Sequence, residues 1–115
     1  MSPVSLSARK ADWQKVVGVW YRTVNYINDP KTADDAIKIM SARVGLTPAA
    51  YKPLLQGTKL LPLADAKKVF TKAPGLGSLH GSTKVSDDFN VKYEVYKQAQ
   101  YIDSYIDPSL IMAQK

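Results

Sequence analysis

Seven apolar side chains fall on one helical line near the start of the chain: Trp13, Val16, Val17, Trp20, Tyr21, Val24 and Ile27. Their spacing of three and four residues predicts an amphipathic helix over residues 11–28 with an unbroken apolar stripe. Gly18 lies inside it and costs about 1 kcal/mol relative to alanine, which fits close approach by another element. Asn28-Asp29-Pro30 ends the helix, because the residue before a proline avoids the α region. A stripe of this length has to be covered, so the question is what the rest of the chain supplies.

The remaining sequence reads as further helices. Residues 33–44 form a second one, with Thr32 as N-cap, Asp34 and Asp35 in the first turn and Arg43 in the last. Its inner face is Ala33, Ala36, Ile37, Met40 and Val44, and Gly45 stops it. A third begins at Thr47-Pro48, with Tyr51, Leu54 and Leu55 inside; Pro53 is expected to kink it or end it early. A short fourth spans residues 64–71, with Val69 and Phe70 inside. Residues 72–83 read as a Gly/Pro loop. A fifth is expected over residues 86–98, capped by Ser86 and carrying the aromatic stripe Phe89, Tyr93 and Tyr96. Asp107-Pro108 starts a last helical turn. Residues 3–8, where Val4 and Leu6 alternate, read as a strand remnant or a loose arm within residues 1–10. The fold class is therefore mainly α, about five helices in a single domain of 115 residues.

Composition narrows the chemistry. There is no cysteine, which removes disulfides, thiolate metal sites and cysteine nucleophiles. His80 is the only histidine, so no multi-histidine metal site can form within one chain. No apolar run approaches the roughly 18–20 residues of a membrane helix. The N-terminus has no signal-peptide pattern, so the chain as given is expected to stay in the cytoplasm. The net charge of +6 invites a nucleic-acid reading. Against it, the only adjacent basic pairs are Arg9-Lys10 and Lys67-Lys68, and acidic residues interrupt the rest. A nucleic-acid footprint concentrates its charge on one face, so a solvated surface is the simpler account.

Four groups of residues carry candidate chemistry, and each has a plainer reading. The loop GLGSLHGSTK, with Gly75, Gly77 and Gly81, misses both the dinucleotide and the P-loop spacings, and reads as a structural turn. His80 has Ser78, Ser82 and Asp87 close in sequence, but a triad is defined by geometry, so it reads as a surface histidine. The pairs Asp34-Asp35 and Asp87-Asp88 fit helix starts better than acid–base work. Trp13 and Trp20 read as core or interface. No residue is assigned as catalytic, metal-ligating or cofactor-binding.

Longer stretches carry a resemblance. WYRTVNYINDPKTADDAIKIMSARVGLTPAAYKPLLQGTKLL and GSLHGSTKVSDDFNVKYEVYKQAQYIDSYIDPSL resemble the C-terminal segment of bacterial periplasmic solute-binding proteins of the nitrate/sulfonate/taurine type. The matching positions are Trp20, Tyr26, Ile27, Asp29 and Pro30, then Gly45–Pro48, Gly81–Lys84, Asp88–Tyr93 and Tyr105–Ser109. The resemblance implies longer, exported, two-lobed parents that deliver solute to an ABC permease and do no chemistry of their own. It implies that this chain supplies helices covering one lobe, without ligand-contact residues, and is not ligand-competent alone.

Two other readings stand beside it: a stand-alone helical interaction module, and a basic nucleic-acid-binding helical domain. The expected partners are the parent's remaining lobes and, through them, the permease. A homodimer through Trp13, Val17, Trp20 and Val24 is the alternative cover for the stripe.

Overall fold

The computed structural model describes residues 2–115 and is mainly helical, with no strand among the described residues. Seven α-helices follow in order: α1 Pro3–Ala8, α2 Lys10–Asn28, α3 Ala33–Arg43, α4 Pro48–Gln56, α5 Leu63–Phe70, α6 Leu79–Lys92 and α7 Ser109–Met112. A 3₁₀ turn spans Ile102–Ser104. Five of the α-helices have seven residues or more, in line with the expected number.

The N-terminal arm is helix, not strand. Ser2 accepts a hydrogen bond from Ser5 N–H and Pro3 occupies the first turn, so α1 starts with a cap and a pre-set φ. Trp13 Nε1 then donates to Ser5 Oγ at 3.0 Å, which ties α1 to α2.

The helices α2, α3 and α4 pack in sequence. Their buried residues are Val24, Ala36, Ile37 and Ser41. The joint between α3 and α4 follows from Gly45-Leu46-Thr47-Pro48. Gly45 takes φ +71°, a left-handed value that a side chain disfavours. Leu46 N–H then reaches Ser41 O at 2.9 Å and Gly45 N–H reaches Ala42 O, a Schellman closure. Thr47 Oγ1 accepts from Ala50 N–H, and Pro48 sits at the first helical position. Thr32, by contrast, makes no cap bond. Its hydroxyl donates backwards to Tyr26 O at 2.5 Å, closing the α2–α3 turn. Val44 is exposed and does not belong to the inner face of α3. Pro53 neither ends α4 nor shortens it. Pro53 and Ala49, one turn earlier, are both exposed, so water can take the carbonyl that lost its donor, while Tyr51 and Leu55 are partly covered.

The second half departs most from expectation. Helix α6 is capped eight residues before Ser86, at Ser78, and ends at Lys92. Ser78 is its N-cap: Ser78 Oγ accepts from Gly81 N–H at 2.9 Å and donates to Ala73 O. Gly81 is the reason the helix can begin here. A Cβ at that position would collide with Gly75 O and Ala73 O, so glycine lets the loop lie against the first turn. The C-terminus is fixed by a second Schellman closure, Val95 N–H to Asn90 O and Glu94 N–H to Val91 O, with Glu94 at φ +57°.

Helix α7 joins the two halves. Leu110 and Ile111 are buried, and α7 packs against both α2 and α5. Gln114 Nε2 donates to Gln14 O at 3.0 Å and Lys67 Nζ donates to Gln114 O at 2.6 Å.

The revised cap makes a direct expectation. Ser78→Ala should lose about 0.5–2 kcal/mol of stability, whereas Ser86→Ala, an exposed mid-helix change, should be near neutral. Urea-unfolding midpoints of the two variants check this; equal losses would return the helix start to Ser86.

Candidate functional site

Two features stand out: a pocket at the start of α6 that holds several charged side chains on a largely apolar lining, and an apolar groove between α2 and α4. The pocket has a volume of about 520 Å³ and is lined by Lys72, Pro74, His80, Lys84, Gln100 and Asp103 among others. The Gly-rich loop supplies one wall, the first two turns of α6 a second, and the 3₁₀ segment a third.

His80 is therefore not a surface histidine. Its side chain is only 11% exposed and its Nε2 lies 3.3 Å from Asp103 Oδ1. Lys72 Nζ donates to both oxygens of the same carboxylate, at 2.6 and 2.8 Å. The Lys72 hydrogen bond, with a smaller contribution from His80, holds the Asp103 carboxyl below the usual carboxylate range. His80 Nδ1 is buried without a partner. Lys84 is paired with Asp88 one turn along α6. Each lysine at the pocket thus already has a carboxylate beside it.

The sequence-adjacent candidates do not assemble into a triad. Ser78 Oγ is committed to Ala73 O and Gly81 N–H. Ser82 Oγ donates to Leu79 O. Asp87 is buried and turned elsewhere: it accepts from Tyr96 OH at 2.7 Å and from Gln100 N–H at 3.1 Å. The hydrogen bond to Asp87 is the leading reason that the Tyr96 phenol is raised above its ordinary range. Asp87 is thus a mid-helix anchor for the segment after α6, not a partner of the helix dipole. Asp34 and Asp35 do occupy the first turn of α3, where Asp35 accepts from Tyr26 OH at 2.5 Å. Among the described residues no group of three or more His, Cys, Asp or Glu side chains could hold a metal ion. No described helix is long and apolar enough to cross a membrane.

The groove is lined by Trp20, Ile27, Met40, Tyr51, Leu54 and Leu55 among others, with a volume of about 500 Å³. Trp20 is 53% exposed and Leu54 61% exposed. The stripe read from the sequence is thus divided. Val24 is 1% exposed, covered within the chain, whereas Val16 and Trp20 face outward, joined by Val19. Trp13 and Val17 are half-buried. Val24 cannot be part of a dimer contact, and the free face is rotated towards Val16, Val19 and Trp20. The exposure of Leu54, expected inside, was not legible in the sequence, because it depends on where α4 crosses α3.

The chain matches no protein-family model, and no curated protein or solved structure is similar to it.

The Asp103 contact gives a pH dependence of known sign. A carboxyl held low in the folded chain contributes stability above the ordinary aspartate pKa of about 4, and loses it as pH falls through the depressed value. The His80 ring proton shifts should therefore show an inflection below about pH 4, absent in Asp103→Asn. Identical acid limbs in both proteins would show that the contact is not formed.

Proposed function

We propose that the chain is a helical scaffold part of one lobe of a solute-binding protein that feeds an ABC importer. One observation carries this reading: the helices form an open layer with only a small buried core. The Cα radius of gyration is 17.6 Å, whereas a compact chain of this length has about 13 Å. The accessible surface is 8560 Å², against roughly 6,200 Å² for a folded monomer of this mass. Such a layer is built to rest on something else, and a sheet-containing lobe is a suitable support.

The roles of the resembling residues fit a scaffold. Asp29-Pro30 follows the end of α2, Gly45–Pro48 makes the α3–α4 joint, and Gly81 seats the loop on α6. Asp107 Oδ1 accepts from Ser109 N–H at 2.8 Å beside Pro108, starting α7. These are joints and caps rather than solute contacts. In this reading the parent works in the periplasm and meets its permease through the assembled lobes, and this chain performs no catalysis.

A stand-alone interaction module is the second reading, favoured by the same open groove. A nucleic-acid role has less support. Basic residues sit beside acidic ones at several places along the chain, as in Arg9–Asp12, Lys52–Asp34, Lys68–Asp65 and Lys72–Asp103.

The test is a chimera. Residues 7–113 replace the corresponding C-terminal segment of a sulfonate-binding periplasmic protein, and sulfonate binding is followed by calorimetry. The scaffold reading expects a soluble chimera that binds its sulfonate, while the 115-residue chain alone gives no heat with nitrate, taurine or alkyl sulfonates. A chimera that folds but does not bind, or micromolar binding by the isolated chain, would contradict it.

A further inference from the structure

We infer that the recess between α2 and the C-terminal residues binds a small oligophosphate, of the class of pyrophosphate or a nucleoside diphosphate. The recess has a volume of about 620 Å³ and is lined by Gln14, Lys15, Gly18 and Arg22 of α2 and by Gln114 and Lys115, among others. Lys15, Gly18 and Arg22 follow one another at intervals of three and four residues, so they share one face of the helix. Gly18 stands between the two cations with no side chain to fill the space. A Cβ there would lie 3.2 Å from Gln114 Oε1, tighter than ordinary contact.

The charged side chains of the recess are all positive. They are Lys15, Arg22 and Lys115, and no Asp or Glu lines it. Among the described residues, no carboxylate side chain lies within 4.0 Å of Arg22 or Lys115. Lys15 has only Asp12, at 4.0 Å, which Arg9 already holds at 3.0 Å. The lysines of the α6 pocket differ, since each is paired with a carboxylate. Counting the α-carboxylate of Lys115 against the three cations still leaves positive charge in excess. The wider field has the same sign. Residues 1–71 hold eleven basic and five acidic side chains, and residues 72–115 hold five of each, so the whole +6 belongs to the part that carries α2. Such a field raises the local concentration of an anion.

The recess also holds a donor without an acceptor. Gln14 Nε2 is buried and makes no hydrogen bond, although the Gln14 carbonyl accepts from Gln114 Nε2. A buried donor left unpaired is unfavourable, and an oxyanion in the recess offers the acceptor it lacks. Lys15 and Arg22 stand about 10 Å apart along the helix axis, so an extended anion spans them better than a compact one. The arginine fork suits phosphoryl oxygens, to which it can donate two parallel bonds. A ligand held there would bridge α2 to the residues after α7. The inference stands apart from the scaffold reading, because nitrate, taurine and alkyl sulfonates each carry a single anionic group.

Calorimetric titration of the full chain with sodium pyrophosphate, free of divalent metal, tests it, with thermal unfolding as a second readout. The expected result is saturable, sub-millimolar binding that weakens as NaCl is raised, with a rise in Tm. Arg22→Gln and Lys15→Gln should each weaken binding about tenfold. Both positions are exposed, so the far-UV spectrum should stay that of the parent chain. Lys38→Gln and Lys59→Gln, which remove the same charge outside the recess, should leave binding intact. The absence of saturable binding would overturn the inference. So would equal losses in all four variants, which would show attraction to net charge alone. Binding to phosphatidylglycerol vesicles but not to pyrophosphate would also overturn it, by making a lipid surface the partner.

Discussion

The structure hangs on the docking of a four-residue helix. Leu110 and Ile111 of α7 are buried, α7 packs against both α2 and α5, and Gln114 hydrogen-bonds Gln14 of α2 while its carbonyl accepts from Lys67 of α5. Helices α2 to α4 pack on one another, and α5, α6 and the 3₁₀ segment do likewise. Apart from the connecting segment, where Asn28 Nδ2 reaches Leu60 O, α7 is what holds these groups together. Burying a large aliphatic side chain is worth about 1.5–3 kcal/mol. Two such residues therefore carry much of the coupling in a chain with few buried apolar side chains.

The same economy explains the open face. The N-terminal group spends its buried contacts on Val24, Ala36 and Ile37, and the small Ser41 fills the remaining space with its hydroxyl turned back to Lys38 O. Among the described residues, nothing covers the outer sides of Trp20 and Leu54, which are 53% and 61% exposed. In the second half, polar contacts replace apolar ones: Asp87 gathers Tyr96 and Gln100, and Asp103 gathers Lys72 and His80. These contacts fix the chain's path after α6 without building a second apolar core.

The period of α2 and the Gly45–Pro48 joint were legible in the sequence because each is set locally, by spacing, by a left-handed glycine and by the Thr47 cap. Helix α6 was not. Its start depends on Gly81 admitting the backbone of Ala73 and Gly75, a contact that looks like loop composition when read along the chain. Its end is a Schellman closure with Glu94, not a glycine, in the left-handed position, which no turn residue in the sequence announces. Residues 3–8 were misread because the alternation of Val4 and Leu6 outweighed the Ser2-Pro3 start signal. At the candidate site, His80 could be named but not placed, because its burial comes from Asp103 and the 3₁₀ segment, far away in sequence. The free face of α2 was visible as a stripe. Which part of it stays free was set by α3, which the stripe alone does not encode.

Both tryptophans lie in α2, so their fluorescence reports on the N-terminal group, while far-UV circular dichroism reports on all helices. Urea unfolding followed by the two signals, in the parent chain and in Leu110→Asp, tests the role of α7 most directly. The account predicts coincident curves for the parent chain. In the variant, dichroism should be lost ahead of fluorescence, as the second half melts away from α2–α4. Curves that remain coincident in Leu110→Asp, merely displaced to lower urea, would show that the two groups are coupled by something other than α7.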